Sequence, residues 1–158
     1  MSIHDLLRKA VGKKVVYSRT GGGAGSIWNI EFEKKVYYMI ECSWRVEHNG
    51  IILTTCTDDA TPLIGRMNRS VEQLIGNKLL SYELSSHYDL VLHFENDFIV
   101  EIFCDCGFEA NIREDYPSPN WYFCIPELDI SVTITNFFQI VYTKFYSNDF
   151  IEEASILI

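Results

Sequence analysis

Carboxylates crowd one segment in the second half of the chain. Seven of them fall between residues 95 and 115, and Tyr116 follows directly: Glu95, Asp97, Glu101, Asp105, Glu109, Glu114 and Asp115. Carboxylates beside aromatic side chains suit an interface with a basic protein, because charge complementarity selects the partner and aromatic rings supply contact area. We predict that these eight residues form a partner-binding surface. The alternative is an ordinary solvated acidic face.

Two cysteines, Cys104 and Cys106, stand two residues apart, so on a strand their side chains share one face. A zinc site usually needs four ligands, commonly with a second pair of Cys or His. The histidines form no such pair, because they are scattered along the chain as His4, His48, His87 and His93. We therefore predict structural cysteines, no metal and no cofactor.

His93 shares its predicted strand face with carboxylates, an environment in which an imidazole can serve as a general base. No nucleophile with an oriented base is recognisable beside it, and a solvated sheet face explains the same residues. The glycine-rich run from Gly21 to Gly25 lacks the Gly-Lys-Ser/Thr ending of a phosphate-binding loop. The sequence therefore assigns no catalytic residue.

The elements that position these groups follow a pattern that occurs twice. Ser2 and Ser70 each have the spacing of a helix N-cap, and Gly12 and Gly76 stand where a helix would end. Alternating apolar residues follow in both halves, with β-favouring side chains. Val36, Tyr38, Ile40, Cys42 and Trp44 in the first half correspond to Phe98, Val100, Ile102 and Cys104 in the second.

This repetition predicts an α+β fold of two pseudo-repeated units, each a helix followed by a four-strand antiparallel meander, which share one core. The units cover about residues 1–58 and 69–126 of a single domain, with a linker at 59–68 and a C-terminal extension at 127–158. The irregular stretch from Cys106 to Asn120 interrupts the second unit and is a candidate functional loop.

The charge is distributed unevenly. The net charge of −9 divides into +2 for residues 1–68 and −11 for residues 69–158. An acidic surface disfavours nucleic acid and an anionic membrane, and it favours a basic protein partner. The amino terminus has no signal-peptide pattern, and no apolar run reaches membrane-spanning length, so we expect a cytoplasmic protein.

The chain resembles small bacterial immunity proteins of the polymorphic-toxin or contact-dependent-inhibition kind. The features that carry this resemblance are the compact acidic α+β character, the acidic stretch from Ile102 to Asp115, and the segment from Gly76 to Glu95. That segment has a Leu-Ile-Gly-Asn-Lys opening and contains the strand Asp-Leu-Val-Leu-His-Phe-Glu. The resemblance implies a stoichiometric inhibitor of a cognate toxin, often a basic nuclease.

The leading prediction is therefore a non-enzymatic domain that neutralises a basic toxin through an acidic surface. One alternative is a small-molecule-binding or hydrolytic domain with a pocket between the two repeats. Another is an uncharacterised structural subunit, such as a homodimer paired through an edge strand.

Overall fold

The computed structural model of the chain describes residues 1–20, 25–109, 119–144 and 150–151. Strands dominate this described part, and its two α-helices are short. In chain order the elements are α1 (Ile3–Leu7), β1 (Val15–Thr20), β2 (Trp28–Phe32), β3 (Tyr37–Ile40), β4 (Ser43–His48), β5 (Ile51–Thr55), α2 (Arg66–Val71), β6 (Leu79–Leu84), β7 (Leu90–Phe94), β8 (Phe98–Phe103), β9 (Pro119–Ile125), β10 (Ile130–Thr135), β11 (Ile140–Lys144) and β12 (Phe150–Ile151).

The strands form two antiparallel sheets that share one core. Sheet one has the strand order β1-β2-β3-β9-β10-β11-β12, and sheet two has the order β5-β4-β8-β7-β6. Aromatic contacts join the sheets: the rings of Trp28 and Trp44 lie 4.6 Å apart, and those of Phe32 and Phe94 stack at 6.2 Å. The two sheets therefore bury their inner faces against each other in one cluster of apolar side chains.

The predicted fold class, an α+β repeat of a helix and a four-strand meander, is wrong. The described residues are 48% strand and 20% helix, and neither predicted unit forms a four-strand meander, because the run of strands that pair in order ends at three in each, β1-β2-β3 and β6-β7-β8. The hairpin of β4 and β5 leaves the first half and pairs with β8, whereas the hairpin of β9 and β10 leaves the second half and pairs with β3. Each sheet is thus built from both halves of the chain.

The side-chain alternation concealed this exchange. The run from Val36 to Trp44 reads as one strand, but the chain passes from sheet one to sheet two at Glu41 and Cys42. Tyr38 and Ile40 of β3 and Trp44 and Val46 of β4 are buried, and Cys42 between the strands is buried too. Because both sheets face the same core, a change of sheet leaves the period of two unchanged.

The predicted helix starts agree with the structure in one case only. Ser2 caps α1 in a capping box with Asp5, as predicted. Ser70 is not a cap, because it lies buried within α2, which begins after Gly65. The predicted linker at 59–68 therefore runs into a helix. In the described part of the chain, no helix is both long and apolar enough to cross a membrane.

The two sheets are joined at one corner by a short backbone ladder. Segments 12–15 and 76–79 pair antiparallel, with Lys14 opposite Lys78. The amide of Gly12 donates to the Leu79 carbonyl at 2.8 Å, and the amide of Gly76 donates to the Val15 carbonyl at 2.8 Å. Both glycines have positive φ, a backbone conformation that side chains disfavour. We call this ladder the junction.

At the other end of the sheets, Asn120 ties together the two segments that cross between sheets. Its backbone carbonyl accepts the amides of Glu41 and Cys42 in the first crossover. Its buried side chain accepts the amide of Cys106 at 2.8 Å and donates to the carbonyls of Cys106 and Thr135, each at 3.0 Å. One side chain therefore satisfies three backbone groups in and around the second crossover.

We expect Asn120→Ala to lower the free energy of unfolding by about 3 kcal/mol or more, because three backbone groups lose their partner where water has little access. Urea denaturation followed by circular dichroism measures this loss. Asn29→Ala is the matched control, since the side-chain carbonyl oxygen of Asn29 has no partner among the described residues. A loss at Asn120 no larger than that of the control would contradict the proposed role.

Candidate functional site

The structure separates the predicted acidic residues into three places. Glu95 and Asp97 lie in the turn between β7 and β8, at the junction end of the sheets. Glu101 is in the middle of β8, and Asp105 and Glu109 follow β8 in the second crossover. Glu114, Asp115 and Tyr116 lie outside the described residues. The described carboxylates therefore do not form one continuous patch.

Three of these carboxylates make contacts within the protein. Glu95 accepts the Lys78 amide at 2.7 Å and thereby caps the start of β6. Glu101 forms an ion pair with Arg45, its partner across the β4/β8 ladder. Asp105 accepts the amide of Ser43 at 3.0 Å and also its hydroxyl, which fixes the start of β4. These side chains therefore hold strands in place, whatever else they bind.

An open depression lies where the two crossovers meet. It has a volume of about 320 Å³, and Glu41 and Asp105 supply its carboxylates. Burial raises the pKa of the Glu41 carboxyl above its usual value. Among the described residues, no cation forms an ion pair with either carboxylate. The depression is thus an acidic site without a neutralising side chain in the described part of the protein.

Exposed aromatic rings flank this depression. Phe108 follows Gly107, which lines the depression, and its side chain is 65% exposed. Its ring lies 6.1 Å from that of Phe137, which is 46% exposed, and 5.6 Å from that of Phe138. We call the set Glu41, Asp105, Phe108, Glu109 and Phe137 the crossover surface.

Sequence reasoning missed the aromatic part of this surface. The predicted surface included only Tyr116 as an aromatic residue. Phe137 and Phe138 lie in the turn between β10 and β11. This turn contacts the second crossover, where the side-chain amide of Asn136 donates to the Gly107 carbonyl at 3.4 Å. Only the fold brings these two segments together.

The structure also brings together cysteines that are distant in sequence. Cys42, Cys56 and Cys106 all line the depression. Burial raises the pKa of the Cys104 thiol to about 12, and the nearby Asp89 carboxylate contributes to the rise. Burial also raises the pKa of Cys42 and of Cys106. No three His, Cys, Asp or Glu side chains of the described part are placed to hold a metal ion.

His93 lies on the outer face of sheet two and contacts the Glu83 carboxylate at 2.8 Å. Glu83 is an exposed residue of β6, the strand at one edge of sheet two. The glycine-rich run joins the antiparallel strands β1 and β2, and its residues 21–24 lie outside the described part.

Comparisons with known proteins add no assignment: no protein-family model, no curated protein and no solved structure matched the chain. Only the geometry and charge of the described residues therefore bear on the function.

We expect the Cys104 thiol to react with iodoacetamide at neutral pH more than about a thousandfold more slowly than free cysteine. The reason is that a pKa of about 12 leaves far less thiolate than the ordinary value of about 8.5. The rate should rise with pH through the alkaline range. Mass spectrometry of the alkylated peptides measures it, with urea-unfolded protein as the control. Equal rates in the folded and unfolded protein would contradict the burial of this thiol.

Proposed function

We propose that the protein is a non-enzymatic protein-binding domain that neutralises a basic partner, in the manner of bacterial immunity proteins. The observation that carries this proposal is the crossover surface, where exposed phenylalanines flank an acidic depression whose carboxylates have no cationic partner among the described residues.

The chemistry of this surface suits a basic protein. Glu41 lies in a partly desolvated setting, where an ion pair with an incoming Lys or Arg is stronger than in bulk water, and the Asp105 carboxylate is exposed beside it. Phe108 and Phe137 offer rigid apolar area at the same place. Aromatic anchors with nearby charge are the composition of interface hot spots, and opposite charge speeds the encounter.

The chain segment after Glu109 also contains acidic residues. Residues 110–118 join Glu109 to β9, and they contain Glu114, Asp115 and Tyr116. The first crossover is only Glu41 and Cys42, so the second crossover carries all the additional chain. We propose that this longer crossover contributes the rest of the interface and that binding occludes the partner's basic active site.

The same proposal includes a cytoplasmic location, where a stoichiometric inhibitor would meet its target. The alternative is a small-molecule or hydrolytic site, and the open depression at the crossovers, which residues of both halves line, is where it would lie. In the described part of the protein, the space between the sheets is filled by large buried side chains, among them Trp28, Trp44, Trp121, Phe32, Tyr38 and Phe123.

We expect Phe108→Ala and Glu109→Lys each to weaken binding of the basic partner by about 2 kcal/mol, or about thirtyfold in Kd, because they remove an aromatic anchor and reverse a charge. The partner is first captured from lysate of the source organism, with the product of the neighbouring gene tested directly. Isothermal titration calorimetry then measures Kd at low and high salt.

Asp97→Lys is the matched control, because it makes the same charge change at the opposite end of β8. Its backbone tolerates the change, since Lys35 has the corresponding positive φ in the first half. If Phe108→Ala and Glu109→Lys kept wild-type affinity and Asp97→Lys lost affinity, the interface would instead lie at the junction end. The absence of any basic partner at low salt would contradict the proposed function itself.

A further inference from the structure

The junction carries a second surface, of opposite character to the crossover surface. Lys14 and Lys78 face each other across the antiparallel ladder, and Val16 and Leu80 follow two residues later on their respective segments. All four residues are exposed, and the strand register shifts at Val16 in β1 and at Leu80 in β6. Val15 and Leu79 between them are buried in the core.

Four exposed aliphatic side chains surround the two lysines. Leu80 is 56% exposed and lines a shallow depression together with Val11, which is 37% exposed. On the other side of the lysine pair, Val16 is 50% exposed and Ile75 is 47% exposed. Ile75 adjoins Gly76, whose amide bonds to Val15, so these two side chains are also near each other. We call Val11, Lys14, Val16, Ile75, Lys78 and Leu80 the junction surface.

Further lysines adjoin this surface. Lys34 and Lys35 follow Glu33, whose carboxylate accepts the Lys14 amide at 3.0 Å. Lys13 adjoins Lys14 in the chain and donates to the Lys9 carbonyl. None of these lysines forms an ion pair within the described part of the chain. Three carboxylates at the same end of the sheets offset part of this positive charge: Glu33 and Glu95, which accept the amides of Lys14 and Lys78, and Asp97. The facing lysines repel each other, a cost that an anionic ligand would lower.

The composition distinguishes between possible occupants. A second copy in a two-fold symmetric contact would bring Lys14 and Lys78 against like charges, which disfavours a symmetric dimer here. Protein interfaces are depleted in lysine, and valine and leucine are under-represented at their hot spots. Aliphatic side chains ringed by lysines are instead the composition that binds anionic lipid bilayers, because the side chains enter the interface while the ammonium groups meet the headgroups.

We propose that the junction surface docks the protein on an anionic lipid bilayer. This revises the expectation of no membrane contact, which rested on net charge. Electrostatic attraction at a membrane falls off within a Debye length, so the charge of the facing surface matters more than the total. The acidic crossover lies at the other end of β3 and β8, and its proposed partner would remain accessible.

The test is sedimentation of the full chain with sucrose-loaded vesicles of phosphatidylcholine, with and without phosphatidylserine, at low and at physiological salt. We expect binding only to the vesicles with phosphatidylserine and release by salt. The double variant Lys14→Gln/Lys78→Gln should lower the partition coefficient by about twenty-fivefold, at about fivefold for each charge. Leu80→Ser should lower it by about tenfold, because it removes one inserted side chain.

The matched control is Arg69→Gln/Lys144→Gln, which removes the same charge from exposed positions outside the junction surface. Retained binding in the control with loss in the junction variants supports the proposal. No sedimentation of the wild-type protein at low salt overturns it, as does equal loss in both double variants. Binding of polyglutamate but not of vesicles also overturns it and assigns the surface to an acidic protein. Circular dichroism verifies that each variant is folded.

Discussion

The exchange of hairpins between the two halves is the constraint on which the rest of the structure depends. Neither half can complete a sheet by itself, because β4 and β5 lie in the sheet of the second half and β9 lies beside β3. The apolar faces of all these strands are buried only when both halves are present. The crossovers that permit the exchange leave backbone groups without ladder partners, and the Asn120 side chain and carbonyl satisfy several of them.

The same exchange places two surfaces at opposite ends of the protein. Strands β3 and β8 both begin beside the turns at the junction end and both finish at a crossover. Residues near the starts of these strands therefore belong to the junction, and residues after their ends belong to the crossover. This is why the predicted acidic cluster does not stay together: Asp97 and Asp105 flank one strand and face different surroundings.

The sequence predicted strands better than it predicted their arrangement. Alternation located the strands around Trp28, Tyr38, Leu92 and Val100, because burial on one face imposes a period of two. It did not reveal the change of sheet at Cys42, because that residue stays buried through the crossover. The acidic crossover was visible as a run of carboxylates and an irregular segment. Its aromatic component was not, since Phe137 approaches Phe108 only through tertiary packing.

The two proposed functions depend on the differences between the two halves more than on the backbone features that the halves share. The turns Glu33–Lys35 and Glu95–Asp97 have the same backbone shape, and in both a glutamate accepts the amide of a lysine, Lys14 or Lys78. Their remaining positions are two lysines in one turn and Asn96 with Asp97 in the other. Likewise, one crossover takes two residues whereas the other carries Phe108, Glu109 and the acidic segment. A shared scaffold thus supports a basic surface and an acidic one, and the net charge of −9 describes neither.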